Sequence, residues 1–160
     1  MIVFFTLNGE ATEMEAEPSE LLVDLLRLRL GLRGARPGCL QGQCGSCTVL
    51  FNGFLAPSCL IPAFKAYGSE IVTIEGLMQT KEYQDIERAF ARAGARPCRF
   101  CAAGKFLSVH ALLSSYPDPP EHAVQDTLAG VWCRCTTYDR LRKAIDFATE
   151  SRERRRRRVR

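Results

Sequence analysis

The distribution of the cysteines constrains this chain more than any other feature of its sequence. There are eight cysteines, and they form two groups of four that occupy separate parts of the chain. The first group has the spacing C-x4-C-x2-C followed, after eleven residues, by a fourth cysteine; the second has C-x2-C, then 31 residues, then C-x-C. The groups are Cys39, Cys44, Cys47 and Cys59, and Cys98, Cys101, Cys133 and Cys135.

The N-terminus argues against a disulfide framework. The apolar run at residues 2–7 has no basic region before it and is followed directly by Asn8-Gly9, so we expect neither a signal peptide nor a membrane span. We therefore expect a cytoplasmic protein. Because disulfides are rare in that reducing compartment, tightly spaced cysteines there favour metal binding.

The first half of the chain is predicted to be a small mixed sheet packed on one helix. Strand-forming residues occupy 2–7, 11–17, 47–51, 54–60 and 71–74, and Asn-Gly pairs at 8–9 and 52–53 are typical of hairpin turns. Leucines at helical spacing follow Pro18-Ser19-Glu20. The first cysteine group lies in a glycine-rich loop at the edge of this sheet.

The second half is predicted to be helical. Apolar residues recur at helical spacing in 83–93, 100–116, 121–130 and 138–149, and four such helices form a compact bundle. The predicted fold class is therefore α+β, with a sheet-containing half at 1–77, a helical half at 78–150 and a basic tail at 151–160. Each half contains four cysteines, the number that one metal centre needs.

The first cysteine group has the spacing of a plant-type [2Fe–2S] site, in which one loop supplies three ligands and a fourth lies downstream. Such a loop must wrap around a two-iron cluster and direct amide N–H groups at its sulfurs. Gly42 and Gly45 permit the positive φ angles that this requires. Structural zinc is the alternative, but zinc sites usually pair two C-x2-C segments, which this loop does not resemble.

The second cysteine group is less decisive by spacing alone, and both a cluster and zinc remain open. Cys98 and Cys101 precede one predicted helix, and Cys133 and Cys135 precede another. Two helix N-termini would then face one site, and their N–H groups and dipoles favour a thiolate-bound cluster. We expect His110 to be a packed or surface residue rather than a Rieske-type ligand, because eight cysteines already suffice for two clusters.

The order of these motifs resembles the small iron–sulfur subunit of the molybdenum hydroxylases, the group of xanthine dehydrogenases, aldehyde oxidoreductases and aerobic carbon monoxide dehydrogenases. The resemblance covers residues 2–150 and includes the segment C-R-C-T-T-Y at 133–138. It implies a β-grasp ferredoxin-like domain followed by a four-helix-bundle domain, each with one [2Fe–2S] cluster. The eight cysteines are then the cluster ligands.

The resemblance also implies partners and cofactors outside this chain. A large subunit would hold molybdopterin and hydroxylate a purine, another N-heteroaromatic compound or an aldehyde, and a medium subunit would hold FAD. Electrons would pass from molybdenum through the helical domain's cluster and then the ferredoxin-like domain's cluster to the flavin. The implied assembly is a heterotrimer able to dimerise, with no substrate site and no catalytic residue on this chain.

Several positions depart from the usual motifs of the family, among them Leu40-Gln41 in the first loop and Ala102-Ala103 after Cys101, and three of them bear on the pterin contact. Pro97 replaces a glutamine that contacts the pterin in relatives, Arg99 replaces a glycine, and Thr137 replaces another glycine. Of the implied pterin contacts, Cys135 remains. Arg99 is a candidate contact to a cofactor phosphate, although an exposed arginine at a helix start is the simpler interpretation.

Two alternatives follow from these departures and from the tail. The chain could be a free-standing two-cluster electron carrier or a redox-sensing adaptor without a molybdenum partner, or a zinc-stabilised scaffold. Residues 152–160 contain seven arginines and one glutamate. We expect this tail to be a solvated continuation of the last helix that contacts an acidic surface of a partner rather than nucleic acid, because no aromatic platform accompanies it.

Overall fold

The computed structural model describes residues 1–159, so that Arg160, the last residue of the predicted tail, lies outside the described residues. It confirms the predicted α+β class: a five-stranded sheet occupies the N-terminal half and helices the C-terminal half. In the described residues, no helix is both long enough and apolar enough to cross a membrane.

The sheet has the strand order β2-β1-β5-β3-β4. Strand β1 pairs antiparallel with β2 and parallel with β5, while β3 pairs antiparallel with both β5 and β4. Alternate residues of β1 (Val3, Phe5 and Leu7) are buried, as expected for a strand with one face on the core. The strands are β1 (Ile2–Leu7), β2 (Glu10–Glu15), β3 (Thr48–Phe51), β4 (Phe54–Pro57) and β5 (Glu70–Val72).

One helical segment covers the buried face of this sheet, as predicted. It begins as α1 (Leu22–Asp24) and continues as a π-helical turn (Leu25–Arg29). Its leucines pack with the alternate residues of β1 and with Val49 and Ile71 in one apolar core. The arrangement is the predicted β-grasp: a mixed sheet folded around one helix.

Four helices of the C-terminal half enclose a second core, preceded by the short α2. Thr80 caps α3 by accepting a hydrogen bond from the amide of Tyr83 over 3.2 Å. Phe90, Leu107 and Ile145 are fully buried in this core. The helices are α2 (Ile74–Leu77), α3 (Lys81–Arg92), α4 (Ala102–Ser115), α5 (Glu121–Ala129) and α6 (Tyr138–Val159).

Three predicted strands extend too far. The strand predicted over 11–17 ends at Glu15. The strand predicted over 71–74 ends at Val72, because Asn8 Oδ1 accepts the Thr73 amide over 2.8 Å and Ile74 packs into the helical core as the first residue of α2. The strand predicted over 54–60 ends at Pro57, and a 3₁₀ turn (Ser58–Leu60) follows.

Residues 151–159 of the tail belong to α6 and, instead of being a solvated extension, pack partly on the chain itself. Arg152 is buried, with only 8% of its surface exposed. Arg155 forms ion pairs with Glu82 over 2.9 Å and with Asp85 over 3.1 Å, both on α3. These contacts explain why the last helix continues well beyond residue 149, where the apolar periodicity ends.

The cysteine loop of the sheet half lies directly against the helical half. Gly45 approaches the 130–131 segment so closely that a Cβ there would lie 2.2 Å from the carbonyl oxygen of Gly130. A Cβ on Gly104, in α4, would lie 2.3 Å from the carbonyl oxygen of Gly45. The amide of Trp132 donates a hydrogen bond to the carbonyl oxygen of Cys44 over 3.0 Å. The two halves therefore meet at the cysteines.

Candidate metal centres

The first cysteine loop wraps around the sulfur of Cys39. Positive φ angles at Leu40 and Gly42 (56° and 72°) turn the backbone so that successive amides point inward. Cys39 Sγ accepts hydrogen bonds from the amides of Gln41 (3.4 Å), Gln43 (3.3 Å) and Cys44 (3.4 Å). This is the amide cradle that the spacing and the glycines predicted.

The cradle stabilises negative charge on Cys39. The amides of Gln41 and Cys44 are the main reasons that its pKa is lowered to about 6. A thiol must lose its proton to bind a metal, so this loop presents a thiolate near neutral pH.

The other cysteines of the first group lie deeper. Cys47 and Cys59 are both buried and pack beside Val23 of α1. The 3₁₀ turn that ends β4 brings Cys59 to Cys47, and Ser58 fixes the turn by donating its hydroxyl to the carbonyl oxygen of Cys47 over 2.6 Å. Burial is the largest cause of the rise in the pKa of Cys47 to about 11.

The second cysteine group converges at the start of α4. Cys101 is the residue immediately before that helix, and its sulfur lies 3.3 Å from that of Cys133 and 3.8 Å from that of Cys98. Amides of Cys101 and Phe100, and then the side chain of Cys135, lower the pKa of Cys98 to about 7. The structure thus brings together all four cysteines that the sequence places in this group.

One cavity joins the two groups. It has a volume of about 500 Å³, and Phe100 and Trp132 are among the residues that line it. Every metal-binding donor that lines this cavity is a cysteine sulfur, and thiolates are the ligands of [2Fe–2S] clusters. Its cysteines are Cys39, Cys44, Cys98, Cys101, Cys133 and Cys135.

Of the other residues considered in the sequence analysis, some lie at this cavity and others lie elsewhere. Arg99 is exposed between Cys98 and Phe100, and Trp132 is 65% exposed at the cavity wall. His110 lies in α4, where its Nδ1 is 3.2 Å from a terminal nitrogen of Arg152. His122 lines a groove beside the β3–β4 hairpin, outside the cysteine cavity.

Two polar residues at the site were not predicted from the sequence. Ser46 Oγ lies 3.0 Å from Cys44 Sγ and donates to the carbonyl oxygen of Arg36 over 2.8 Å, which connects the loop to the segment before it. Lys105 is buried in α4, with only 2% of its surface exposed. The position of Lys105 within the largely apolar run 102–113 is the sequence feature that could have predicted its burial.

Comparisons with known proteins agree with this geometry. Residues 5–62 match the family model "2Fe-2S iron-sulfur cluster binding domain", and residues 73–146 match "[2Fe-2S] binding domain". The nicotinate dehydrogenase small FeS subunit of Eubacterium barkeri is 39% identical, over 90% of this chain and 92% of its own length. A nicotinate dehydrogenase subunit from Pseudomonas putida is 36% identical, over 91% of this chain and 93% of its own length.

This chain belongs to the small [2Fe–2S] subunits of the molybdenum hydroxylase family. Solved structures agree: a chain of quinoline 2-oxidoreductase from Pseudomonas putida 86 superposes with a TM-score of 0.87 at 37% identity, with 96% of each chain covered. Aldehyde oxidoreductase from Desulfovibrio gigas superposes with a TM-score of 0.86 at 31% sequence identity. The match covers 97% of this chain and 17% of that one. As in that family, the chain is an iron–sulfur electron-transfer subunit of an oxidoreductase, with two [2Fe–2S] binding domains.

Proposed function

We propose that the two cysteine groups are the ligands of two [2Fe–2S] clusters that relay electrons within a molybdenum hydroxylase. The observation that carries this proposal is the shared cavity, because six of the eight cysteines line one space and a backbone hydrogen bond joins Trp132 to Cys44 at its wall. When bound, each cluster takes up and releases one electron.

The first cluster would be held by Cys39, Cys44, Cys47 and Cys59. Amide donors support Cys39, and burial of Cys47 and Cys59 keeps water from the other side of the site. Both features favour a cluster that exchanges electrons without losing its iron, since hydrogen bonds to the sulfurs and solvent exposure govern the behaviour of such clusters.

The second cluster would be held by Cys98, Cys101, Cys133 and Cys135. Cys98 and Cys135 are exposed in this chain, whereas Cys101 is buried. We place the molybdopterin of a large subunit on the exposed side, next to Cys135, and the FAD of a medium subunit nearer the first cluster. Electrons would then run from the large subunit to the medium subunit through this chain.

Arg99 lies on that same exposed side, beside Cys98. We propose that its guanidinium contacts an anionic group of the cofactor, such as a phosphate, because a guanidinium donates paired hydrogen bonds to phosphate oxygens. Pro97 offers no side-chain donor there, so Arg99 supplies the polar contact on this segment.

The assembly would contain one large and one medium subunit per copy of this chain, as a heterotrimer able to dimerise. Its substrate would be a purine, another N-heteroaromatic compound or an aldehyde, the classes found among its relatives, which include nicotinate and quinoline enzymes. The predicted division at residues 77 and 150 and the cytoplasmic location stay predictions.

Purification of the tagged chain from its native source tests this function. We expect two larger subunits to co-purify, with molybdenum, FAD, and four irons and four sulfides per copy of this chain, because each of the two domains binds a two-iron cluster. A chain that purifies alone with full iron and no molybdenum would instead support the free-standing carrier. A colourless chain with zinc would overturn the cluster assignment.

A further inference from the structure

Lys105 is an unusual residue for the interior of a helical domain. It lies in α4, four residues after Cys101, and belongs to the largest fully buried side chains of the protein. Burial of a charged ammonium is costly and is seen almost only where a partner compensates for the lost water. The ammonium of Lys105 therefore needs such a partner.

Protein groups account for only part of that compensation. Lys105 Nζ donates one hydrogen bond, over 2.6 Å, to the carbonyl oxygen of Leu128 near the end of α5. An ammonium has three donors. None of the ion pairs among residues 1–159 includes Lys105, so a carboxylate does not balance its charge in the described chain.

The negative charges that act on Lys105 belong to the second cysteine group. Burial lowers its pKa, while the charges of Cys133 and then Cys101 act in the opposite direction. Lys105 and Cys133 also line the same cavity of about 410 Å³. The side chain thus reaches the end of α5 and lines one cavity with Cys133, a residue assigned to the second cluster.

We propose that Lys105 is the buried counter-charge of the second [2Fe–2S] cluster and raises the reduction potential of that cluster. This inference rests on the proposed assignment of Cys98, Cys101, Cys133 and Cys135 as ligands. Lys105 is a positioning charge in this role and does not bind iron.

The physical reason is the change in charge on reduction. The cluster gains one electron from its electron donor, no bond forms or breaks, and Lys105 keeps its three protons in both states. A fixed positive charge in a poorly hydrated interior attracts the more negative, reduced form more strongly than the oxidised form. Lys105 therefore favours the arrival of an electron at the second cluster.

A purely structural role for Lys105 makes a different prediction. The cation also interacts with the carboxyl end of α5 through Leu128, where helices lack partners for their last carbonyls. If that were its whole role, removal of the charge would lower the stability of the chain and leave the cluster potential unchanged.

The test compares Lys105→Met with Lys105→Arg in the assembled enzyme. Each is titrated at constant pH with an electron mediator mixture and followed by EPR, and the two cluster signals are assigned from Cys59→Ala and Cys98→Ala variants. At the wild-type midpoint we expect the ratio of reduced to oxidised second cluster to fall about tenfold in Lys105→Met, which corresponds to about 59 mV for one electron. The first cluster and the Lys105→Arg variant should shift much less.

Unfolding of the full-length chain without iron provides the second readout. We expect Lys105→Met to unfold at the same urea concentration as the wild type or a higher one, because the apolar side chain removes the cost of burying a charge. An unchanged second-cluster potential in a fully loaded Lys105→Met enzyme would overturn the proposal.

Loss of iron from the variant is also informative. If Lys105→Met loses iron while Lys105→Arg retains it, and the iron-free chains unfold at the same urea concentration, the counter-charge role is supported. Loss of iron from both variants would overturn it. A wild-type enzyme that lacks iron at the second site would instead overturn the ligand assignment, so the two failures are distinguishable.

Discussion

The backbone amide of Trp132 donates a hydrogen bond to the carbonyl oxygen of Cys44 over 3.0 Å. Trp132 is bonded covalently to Cys133, so this hydrogen bond joins a residue of the first cysteine group to a neighbour of the second. The close approach of Gly45 to Gly130 and Val131 holds the two segments in place. The relative position of the two centres is therefore built into the backbone of one chain.

Substitution of Gly45 tests this contact. In Gly45→Ala the new Cβ would overlap the carbonyl oxygen of Gly130 and lie 2.9 Å from Val131 Cα, at a residue whose φ is +70°. We expect a loss of about 2–5 kcal/mol in the free energy of unfolding, the sum of a positive-φ penalty and an overpacking cost. Urea unfolding monitored by circular dichroism measures it.

Gly53→Ala is the matched control for that substitution. Gly53 also has a positive φ, +82°, but nothing lies within 4 Å of its Cβ position. Only the backbone penalty of about 1–2 kcal/mol should appear. Equal losses in the two variants would show that the contact between the halves contributes nothing.

The reactivity of the cysteines in the iron-free chain should depend on pH in a specific way. Because the amides of its loop lower the pKa of Cys39 to about 6, its thiolate is present at pH 7 and disappears as the pH falls through 6. Iodoacetamide reacts with thiolates, so alkylation of Cys39 should reach half its plateau rate near pH 6. The same charge stabilises the fold above the pKa of a free thiol and is lost as the pH falls through 6.

Cys47 is the internal control for this experiment. Its pKa is raised to about 11, chiefly by burial, so we expect slow alkylation throughout the range from pH 5 to 8. Peptide mass spectrometry after brief alkylation separates the two residues. A midpoint for Cys39 near pH 9 would show that the amide cradle does not form without iron.

Arg99 should affect retention of the molybdenum cofactor. If its guanidinium contacts an anionic group of that cofactor, Arg99→Ala should lower the molybdenum content of the purified assembly several-fold and leave iron unchanged. Arg96→Ala, which removes another arginine from the same segment, is the control. Unchanged molybdenum in Arg99→Ala would make Arg99 an ordinary surface residue.

Near the end of α6, Arg155 should contribute more to stability than the exposed Arg157. Arg155 pairs with Glu82 and with the half-buried Asp85, so Arg155→Ala should lower the free energy of unfolding by about 1 kcal/mol or somewhat more. Arg157→Ala removes an exposed partner of Glu153 at 3.9 Å and should change it by less than about 0.5 kcal/mol. Equal changes would mean that the tail is a solvated extension.

Much of this molecule could be predicted from its sequence, because the strongest signals are local. The turns at Asn8-Gly9 and Asn52-Gly53 and the helical periodicities depend on neighbouring residues, and the structure confirms the elements that they delimit. The two cysteine groups could also be predicted from the sequence, since ligand spacing is a property of a short segment.

The errors and omissions involve contacts between distant residues. Ile74 looked like the end of a strand, but its environment is the helical core, which the strand pattern does not reveal. The burial of Lys105 depends on Leu128 and Cys133, both more than twenty residues away. No local pattern predicts that the two cysteine groups share one cavity.

Anaerobic mixing of the purified assembly with nicotinate, xanthine or quinoline tests the central claim most directly. With whichever compound reduces the enzyme, we expect EPR to show both clusters reduced and the visible spectrum to show reduced flavin. The Cys98→Ala enzyme, if it retains molybdenum and FAD, should leave its flavin oxidised over many wild-type turnover times. Flavin reduction at the wild-type rate without the second cluster would contradict the proposed relay.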